Sequence, residues 1–221
     1  MAITKLELAK IIDATSMANT ATKADMDELV ALCKKYGFGH AVGIQCYIPY
    51  LIDQLRGTQT KVVGAAGGRG SDDLVDCIPQ ALANIGLGCG EIESRMSLNF
   101  FRSGMYDEIV KATRAIKNAV GDIVYKVIIE APVLTDDEIR TACDLIVDGG
   151  ADYIKSATGT MGATTVHHIE VMSAANKGRA KLKAAGGIRT IETIESMLDL
   201  GVTRFGIGLK SAVAILDGMQ A

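Results

Sequence analysis

Three lysines interrupt apolar, strand-like runs. Lys155 stands in Tyr153-Ile154-Lys155-Ser156-Ala157, Lys183 in Leu182-Lys183-Ala184-Ala185, and Lys126 in Val124-Tyr125-Lys126-Val127-Ile128. A protonated lysine is a poor nucleophile. Desolvation and a second ammonium nearby both favour the neutral amine. A neutral amine condenses with an aldehyde or ketone, and the iminium so formed withdraws electrons, so that an adjacent carbon–carbon bond can break or form. That chemistry needs a proton shuttle, and Asp13 and Glu93 are carboxylates in comparable runs. Taken alone, Lys126 reads as an ordinary strand-end residue in water. Lys155 and Lys183 read differently, because each is flanked by apolar or small residues and followed by a Gly-containing turn.

The glycine turns suggest a second recognition element. Ala184-Ala185-Gly186-Gly187-Ile188 follows one lysine, and Gly206-Ile207-Gly208-Leu209-Lys210-Ser211 leads straight into a final helical segment. Glycine lets backbone amides approach an anion, and a helix N-terminus favours negative charge. Either turn alone is weak evidence, since glycine also makes ordinary turns; the two together point to a phosphate.

These residues need a frame. Eight β-like runs alternate with amphipathic helical runs, the pattern of a parallel sheet with helices outside it. The strands read over 11–15, 40–46, 61–66, 91–96, 124–130, 153–157, 182–185 and 204–208. Thr22-Lys23-Ala24-Asp25, Ser71-Asp72-Asp73, Thr135-Asp136-Asp137-Glu138 and Thr190-Ile191-Glu192 open helices, with a capping box at Thr135 and Glu138. Gly149-Gly150 and Gly201 mark helix ends. Eight such pairs in 221 residues predict a single-domain (β/α)8 TIM barrel spanning 1–221, with functional residues at the C-terminal ends of the strands. A six-stranded open sheet is the alternative, but no dinucleotide-type Gly-rich turn follows the first strand.

Composition narrows the function classes. The 23 basic and 26 acidic residues give a net charge of -3 with no block of like charge, which argues against nucleic acid or a membrane surface as partner. No run of about 18 apolar residues and no signal peptide is apparent. Five widely spaced cysteines fit a reducing cytoplasm. The adjacent His167-His168 would point about 100° apart on a helix, a poor metal pair.

At these residues the chain resembles the deoxyribose-phosphate aldolase family nearly end to end. The likeness is carried by Ile12-Asp13-Ala14-Thr15, by Cys46-Tyr47-Ile48-Pro49, and by Lys126-Val127-Ile128-Ile129-Glu130. It is carried most specifically by Ala151-Asp152-Tyr153-Ile154-Lys155-Ser156-Ala157-Thr158-Gly159 and by Lys183 to Thr190. The resemblance implies that Lys155 forms the imine, that Lys183 perturbs it and joins a proton relay, and that Asp13 and Lys126 line the site. Thr158, Gly159, Gly186 and Gly187 would lie near a phosphate, with Gly208 in the last turn, and Cys46 would stand at the site mouth. The implied reaction is the reversible cleavage of 2-deoxy-D-ribose 5-phosphate to D-glyceraldehyde 3-phosphate and acetaldehyde, with neither metal nor organic cofactor. A homodimer or higher homo-oligomer is the base-rate expectation.

The departures fall around the substrate. The family has E-I-D where this chain has Glu91-Ile92-Glu93, and Arg95 shares Glu93's face by period-two alternation, able to pair with Glu93 or to bind an anion. Arg69 and Lys210 are further cations on loops, and the strand-eight turn departs from the family's G-[AT]-S-S. A different, more anionic sugar phosphate is therefore an alternative substrate; a non-imine barrel isomerase and a non-catalytic sugar-phosphate binder are alternatives to the aldolase itself. If Glu93 is an adaptation to another substrate, Glu93→Asp should raise deoxyribose-phosphate cleavage.

Overall fold

The computed structural model describes residues 3–67 and 74–219. Arg69 and the helix start at Ser71-Asp72-Asp73 lie outside the described residues. The elements run α1 (Lys5–Lys10), β1 (Ile12–Ser16), α2 (Lys23–Tyr36), β2 (His40–Gly43), a 3-10 turn (Gln45–Tyr47), α3 (Ile48–Leu55), β3 (Lys61–Ala65), α4 (Leu74–Leu87), β4 (Glu91–Arg95) and α5 (Leu98–Arg102). They continue with α6 (Tyr106–Val120), β5 (Val124–Ile128), a second 3-10 turn (Ala131–Val133), α7 (Asp136–Asp148), β6 (Tyr153–Lys155), α8 (Val166–Asn176), β7 (Lys181–Ala185), α9 (Ile191–Asp199), β8 (Val202–Gly208) and α10 (Leu209–Gly218).

The eight strands pair in chain order, all parallel, and β1 pairs with β8 to close the ring. This is the (β/α)8 barrel expected from the alternating pattern. Helix starts follow the local chemistry. Thr22 with Asp25 and Thr135 with Glu138 form capping boxes, and the Thr190 hydroxyl accepts from the Thr193 amide. The α7 helix ends at Gly149, and Gly150 takes a positive φ of 85°. Two short helices escaped sequence analysis. α1 precedes the first strand under its own Thr4–Glu7 capping box, and α5 follows β4 with Ser97 as its cap.

Alternation along the strands separates two interiors. Ile92, Ile154 and Phe205 are fully buried members of the apolar cluster shared with the helices. Their neighbours Glu93, Lys155 and Arg204 belong instead to the barrel lumen. Register aligns the lumen side chains: Glu93 lies opposite Lys126, Lys155 opposite Lys183, and Lys183 opposite Arg204, while Asp13 lies opposite both His40 and Gly206. The β7–β8 ladder slips between Leu182 and Lys183, an irregularity of the kind that re-aims a side chain.

Several strand bounds need correction. β5 stops at Ile128 rather than Glu130, and β6 at Lys155 rather than Ala157. β2 stops at Gly43 rather than running to Cys46, which lies in the following 3-10 turn and is exposed. β8 runs to Gly208 and α10 begins at Leu209, so strand passes into helix with no intervening turn; Gly208 is the helix N-cap with an ordinary φ of -56°.

The loops after β6 and β7 meet at Gly159 and Gly186, whose φ values are 85° and 92°. A Cβ on Gly186 would stand 3.0 Å from the Gly159 Cα. Gly186→Ala should therefore cost about 1–3 kcal/mol of stability, from backbone strain and the forced separation of the two loops. Denaturant unfolding at constant m-value checks this.

Candidate active site

The lumen of the barrel is filled with charge. Asp13, Lys126 and Lys183 are fully buried, Glu91 and Glu93 nearly so, and Lys155 retains 9% exposure at the top. Glu93 lies at the centre: its Oε2 accepts from Lys155 Nζ at 2.7 Å, and its Oε1 lies 3.2 Å from Lys126 Nζ and also accepts from Lys183. Asp13 Oδ2 accepts from Lys183 and lies 3.3 Å from Lys126 Nζ. A continuous path of ammonium and carboxylate thus leads from Lys155 through Glu93 to Lys183 and Asp13.

A deeper layer supports this one. Lys126 Nζ sits 2.5 Å from Glu91 Oε2. His40 Nδ1 is 3.2 Å from Asp13 Oδ1, and its Nε2 is 3.1 Å from Glu91 Oε1. Arg204 Nη1 reaches Asp13 Oδ1 at 3.1 Å and Glu91 Oε2 at 3.2 Å, and the guanidinium lies 5.6 Å from the Tyr153 ring centre. Glu91, His40 and Arg204 fall within the expected strands but are not among the site residues that the sequence points to. Glu91 was recoverable from its period-two relation to Glu93; His40, the first residue of β2, carried no such signal.

The electrostatics follow from this packing. Leaving His40 aside, the lumen holds four cations (Lys126, Lys155, Lys183, Arg204) against three carboxylates (Asp13, Glu91, Glu93), so one proton is in surplus. Burial opposes ionisation of Asp13, but Lys126, Lys183 and His40 outweigh it and hold the carboxyl well below its usual range. Burial is likewise outweighed at Glu93 by Lys155, Lys183 and Lys126. At Glu91 the hydrogen bond from His40 and the charge of Lys126 bring the carboxyl down to about 2. Lys126 is pushed upward, because Asp13, Glu93 and Glu91 overcome its burial. Lys183 moves the other way: burial, assisted by Lys126 and Lys155, brings it down to about 8 despite Asp13 and Glu93. The surplus proton is held most weakly there.

The structure brings Asp13, Glu93, Lys126, Lys155 and Lys183 together, and Lys126 is a buried ion-pair partner rather than a solvated strand end. It does not pair Arg95 with Glu93, because Glu93 is taken up by the three lysines. Arg95 is half-buried and borders a cavity of about 20 Å³ beside Ser94, Phe100 and Tyr125. Around the rim, Thr158 is half-buried and Gly159, Gly187 and Gly208 are exposed, with Gly186 between. The Thr158 amide is already donated to Glu130 Oε2 at 3.2 Å, and its hydroxyl lies 2.7 Å from the Thr160 hydroxyl and accepts from the Thr160 amide. Arg189 Nη1 donates to Ser211 Oγ at 3.0 Å, tying the β7 loop to the first turn of α10. Among the described residues no group of three or more His, Cys, Asp or Glu is arranged to hold a metal ion.

The site is thus a slightly exposed lysine above a buried cluster of carboxylates and ammonium groups at the C-terminal mouth of a barrel. A deoxyribose-phosphate aldolase of Thermoanaerobacter sp. (strain X514) is 32% identical over 217 residues, covering 96% of either chain. One of Streptococcus equi subsp. zooepidemicus is 32% identical over 98% of both. Among solved structures, one assigned as a deoxyribose-phosphate aldolase from Coccidioides immitis superposes with a TM-score of 0.91 at 31% identity, covering 98% of this chain and 87% of its own. The tetrameric deoxyribose phosphate aldolase of Aeropyrum pernix gives 0.83 at 26% identity, with coverage of 96% and 91%. No family model matches the sequence. The chain belongs to the deoxyribose-phosphate aldolase family and is an enzyme of the aldehyde-lyase type.

The reach of Glu93 to three lysines supplies a competing expectation for its shortening. Shortening it by one methylene withdraws a carboxylate oxygen from Lys155, Lys126 or Lys183. Glu93→Asp should lower kcat/KM for retro-aldol cleavage by about 10- to 100-fold, a misplacement of about 1 Å being worth that much. Steady-state kinetics on the fraction that remains folded, established by a melting curve of the same variant, test this.

Proposed function

We propose that the enzyme cleaves 2-deoxy-D-ribose 5-phosphate reversibly to D-glyceraldehyde 3-phosphate and acetaldehyde through an imine on Lys155. The observation that carries the reading is the difference between two coupled lysines: Lys155 keeps 9% exposure above Glu93, whereas Lys183 has none. A substrate carbonyl entering the mouth meets Lys155 first. Its ammonium gives a proton to Glu93, which passes it inward to neutral Lys183. The freed amine attacks the carbonyl carbon, and loss of water leaves the iminium. In cleavage, the C3 hydroxyl loses its proton to the relay, the C2–C3 bond breaks, and its electron pair moves toward the C1 iminium as an enamine while C3 becomes the aldehyde carbon of the departing product. Glyceraldehyde 3-phosphate leaves; protonation of the enamine and hydrolysis then release acetaldehyde and restore the amine.

The phosphate is assigned to the rim formed by Gly186, Gly187 and the start of α10, with Arg189 and Lys210 as nearby cations. A more anionic sugar phosphate is the second reading, supported by Arg95, which makes no hydrogen bond or ion pair among the described residues. The partners are then a small sugar phosphate and an aldehyde, with neither nucleic acid nor membrane. The tetrameric relative supports a homo-oligomer. A cytoplasmic location fits the cysteine usage; among the described residues no helix is long and apolar enough to cross a membrane.

Borohydride added during incubation with acetaldehyde should leave a reduced adduct on Lys155, mapped by peptide mass. Lys155→Ala should abolish both the adduct and turnover; no adduct on Lys155 with any carbonyl, or full activity in Lys155→Ala, defeats the assignment. The trapping rate should also rise as pH passes through about 8, since Lys183 accepts a proton only once it has lost its own. A rate that is flat from pH 6 to 10 would remove Lys183 from the relay.

A further inference from the structure

One buried carboxylate at the mouth is not neutralised. Glu130 stands two residues beyond the end of β5, is 2% exposed, and takes left-handed backbone angles of φ 56° and ψ 50°, which a glutamate rarely adopts. Its Oε2 accepts from the Thr158 amide, and its Oε1 is buried without any hydrogen-bond partner. Asp13, Glu91 and Glu93 each face at least two cations, whereas Glu130 forms no ion pair among the described residues. Strain and an orphaned buried oxygen each carry a free-energy cost, and such costs concentrate where a site depends on them.

The surroundings place this charge beside the imine lysine. The Ile129 amide donates to the Lys155 carbonyl at 3.0 Å, and the Ala131 amide donates to the Ser156 carbonyl at 2.8 Å, so Glu130 lies astride the end of β6. Across the mouth, the Thr164 amide donates to the Gly186 carbonyl at 2.9 Å, and Gly159 touches Gly186. The rim therefore has two unlike sides. On the β7–β8 side are glycine turns, Arg189 and the N-terminus of α10. On the β5–β6 side, the amide that could meet an anion is already occupied by a carboxylate.

We propose that Glu130 is a specificity-determining residue: by holding the Thr158 amide and leaving its own charge uncompensated, it excludes anionic groups from the β5–β6 side of the mouth and confines the substrate phosphate to the β7–β8 side. This rests on the imine reading for the position of the sugar, though not for the binding of phosphate. Glu130 acts through charge at a distance and through the turn it anchors, and takes no part in bond breaking.

Glu130→Gln separates charge from anchoring, because the amide oxygen still accepts from Thr158. With the charge removed, KM for deoxyribose 5-phosphate should fall by about three- to tenfold, while KM for unphosphorylated 2-deoxyribose stays within about twofold. The rise in melting temperature produced by inorganic phosphate, a readout that needs no imine, should appear at correspondingly lower phosphate. Glu130→Ala, which also frees the turn, should raise KM for both sugars. Equal shifts for the two sugars in Glu130→Gln, or no shift in either KM or phosphate response, overturn the proposal. Absence of a borohydride adduct in the unaltered enzyme, with the phosphate response of Glu130→Gln intact, would instead overturn only the imine reading.

Discussion

Seven formal charges share the lumen of one small barrel, and their mutual neutralisation is the condition on which this structure depends. An isolated ion is costly to remove from water, and removing one partner of a buried pair typically costs about 3–5 kcal/mol. Here three carboxylates are shared among four cations so that none of the three is left facing only apolar neighbours. Glu93 and Asp13 act as common anions, and Lys126 and Arg204 as cations held firmly in their charged forms. Because the count does not balance, the surplus falls on the cation with the least compensated burial, Lys183. A barrel interior that in other proteins is packed with branched apolar side chains is here filled by ion pairs. The apolar packing is displaced outward, to the shell between strands and helices.

This arrangement explains why the reaction centre is graded in depth. Lys155 lies uppermost, on a strand of only three residues, and keeps 9% exposure. Lys183 lies opposite it on β7, fully enclosed. Below both, Glu91, His40 and Arg204 fix the orientation of Asp13 and Lys126. The mouth is thereby backed by two layers of ion pairs.

Much of this was legible in the sequence. Lysines within apolar runs, the capping boxes at Thr22 and Thr135, and the glycine turns each had a local physical signature, and together they specified the barrel and the lumen lysines. What was not legible depended on register and on competition between partners. Arg95 shares strand parity with Glu93, but parity says nothing about the three lysines that compete for the same carboxylate. Cys46 stands two residues before the start of α3 at Ile48, and only the early end of β2 at Gly43 reveals that it lies in a turn. Lys126 read as a solvated residue because its partners are 33 to 113 residues distant in the chain. Glu130 was noticed only as part of a motif; its left-handed backbone could not be inferred from its type.

The ionic cluster also bears on how the chain folds. Its members come from β1, β2, β4, β5, β6, β7 and β8, so no partial barrel can satisfy them. A half-barrel intermediate would leave Asp13 without Lys183, or Glu93 without Lys155, in a closing apolar enclosure. The lumen must therefore remain hydrated until β8 arrives beside β1, and dehydration of the charges is coupled to ring closure. The cluster thus makes the last strand pairing the decisive event, and links assembly of the catalytic residues to completion of the fold in one cooperative step.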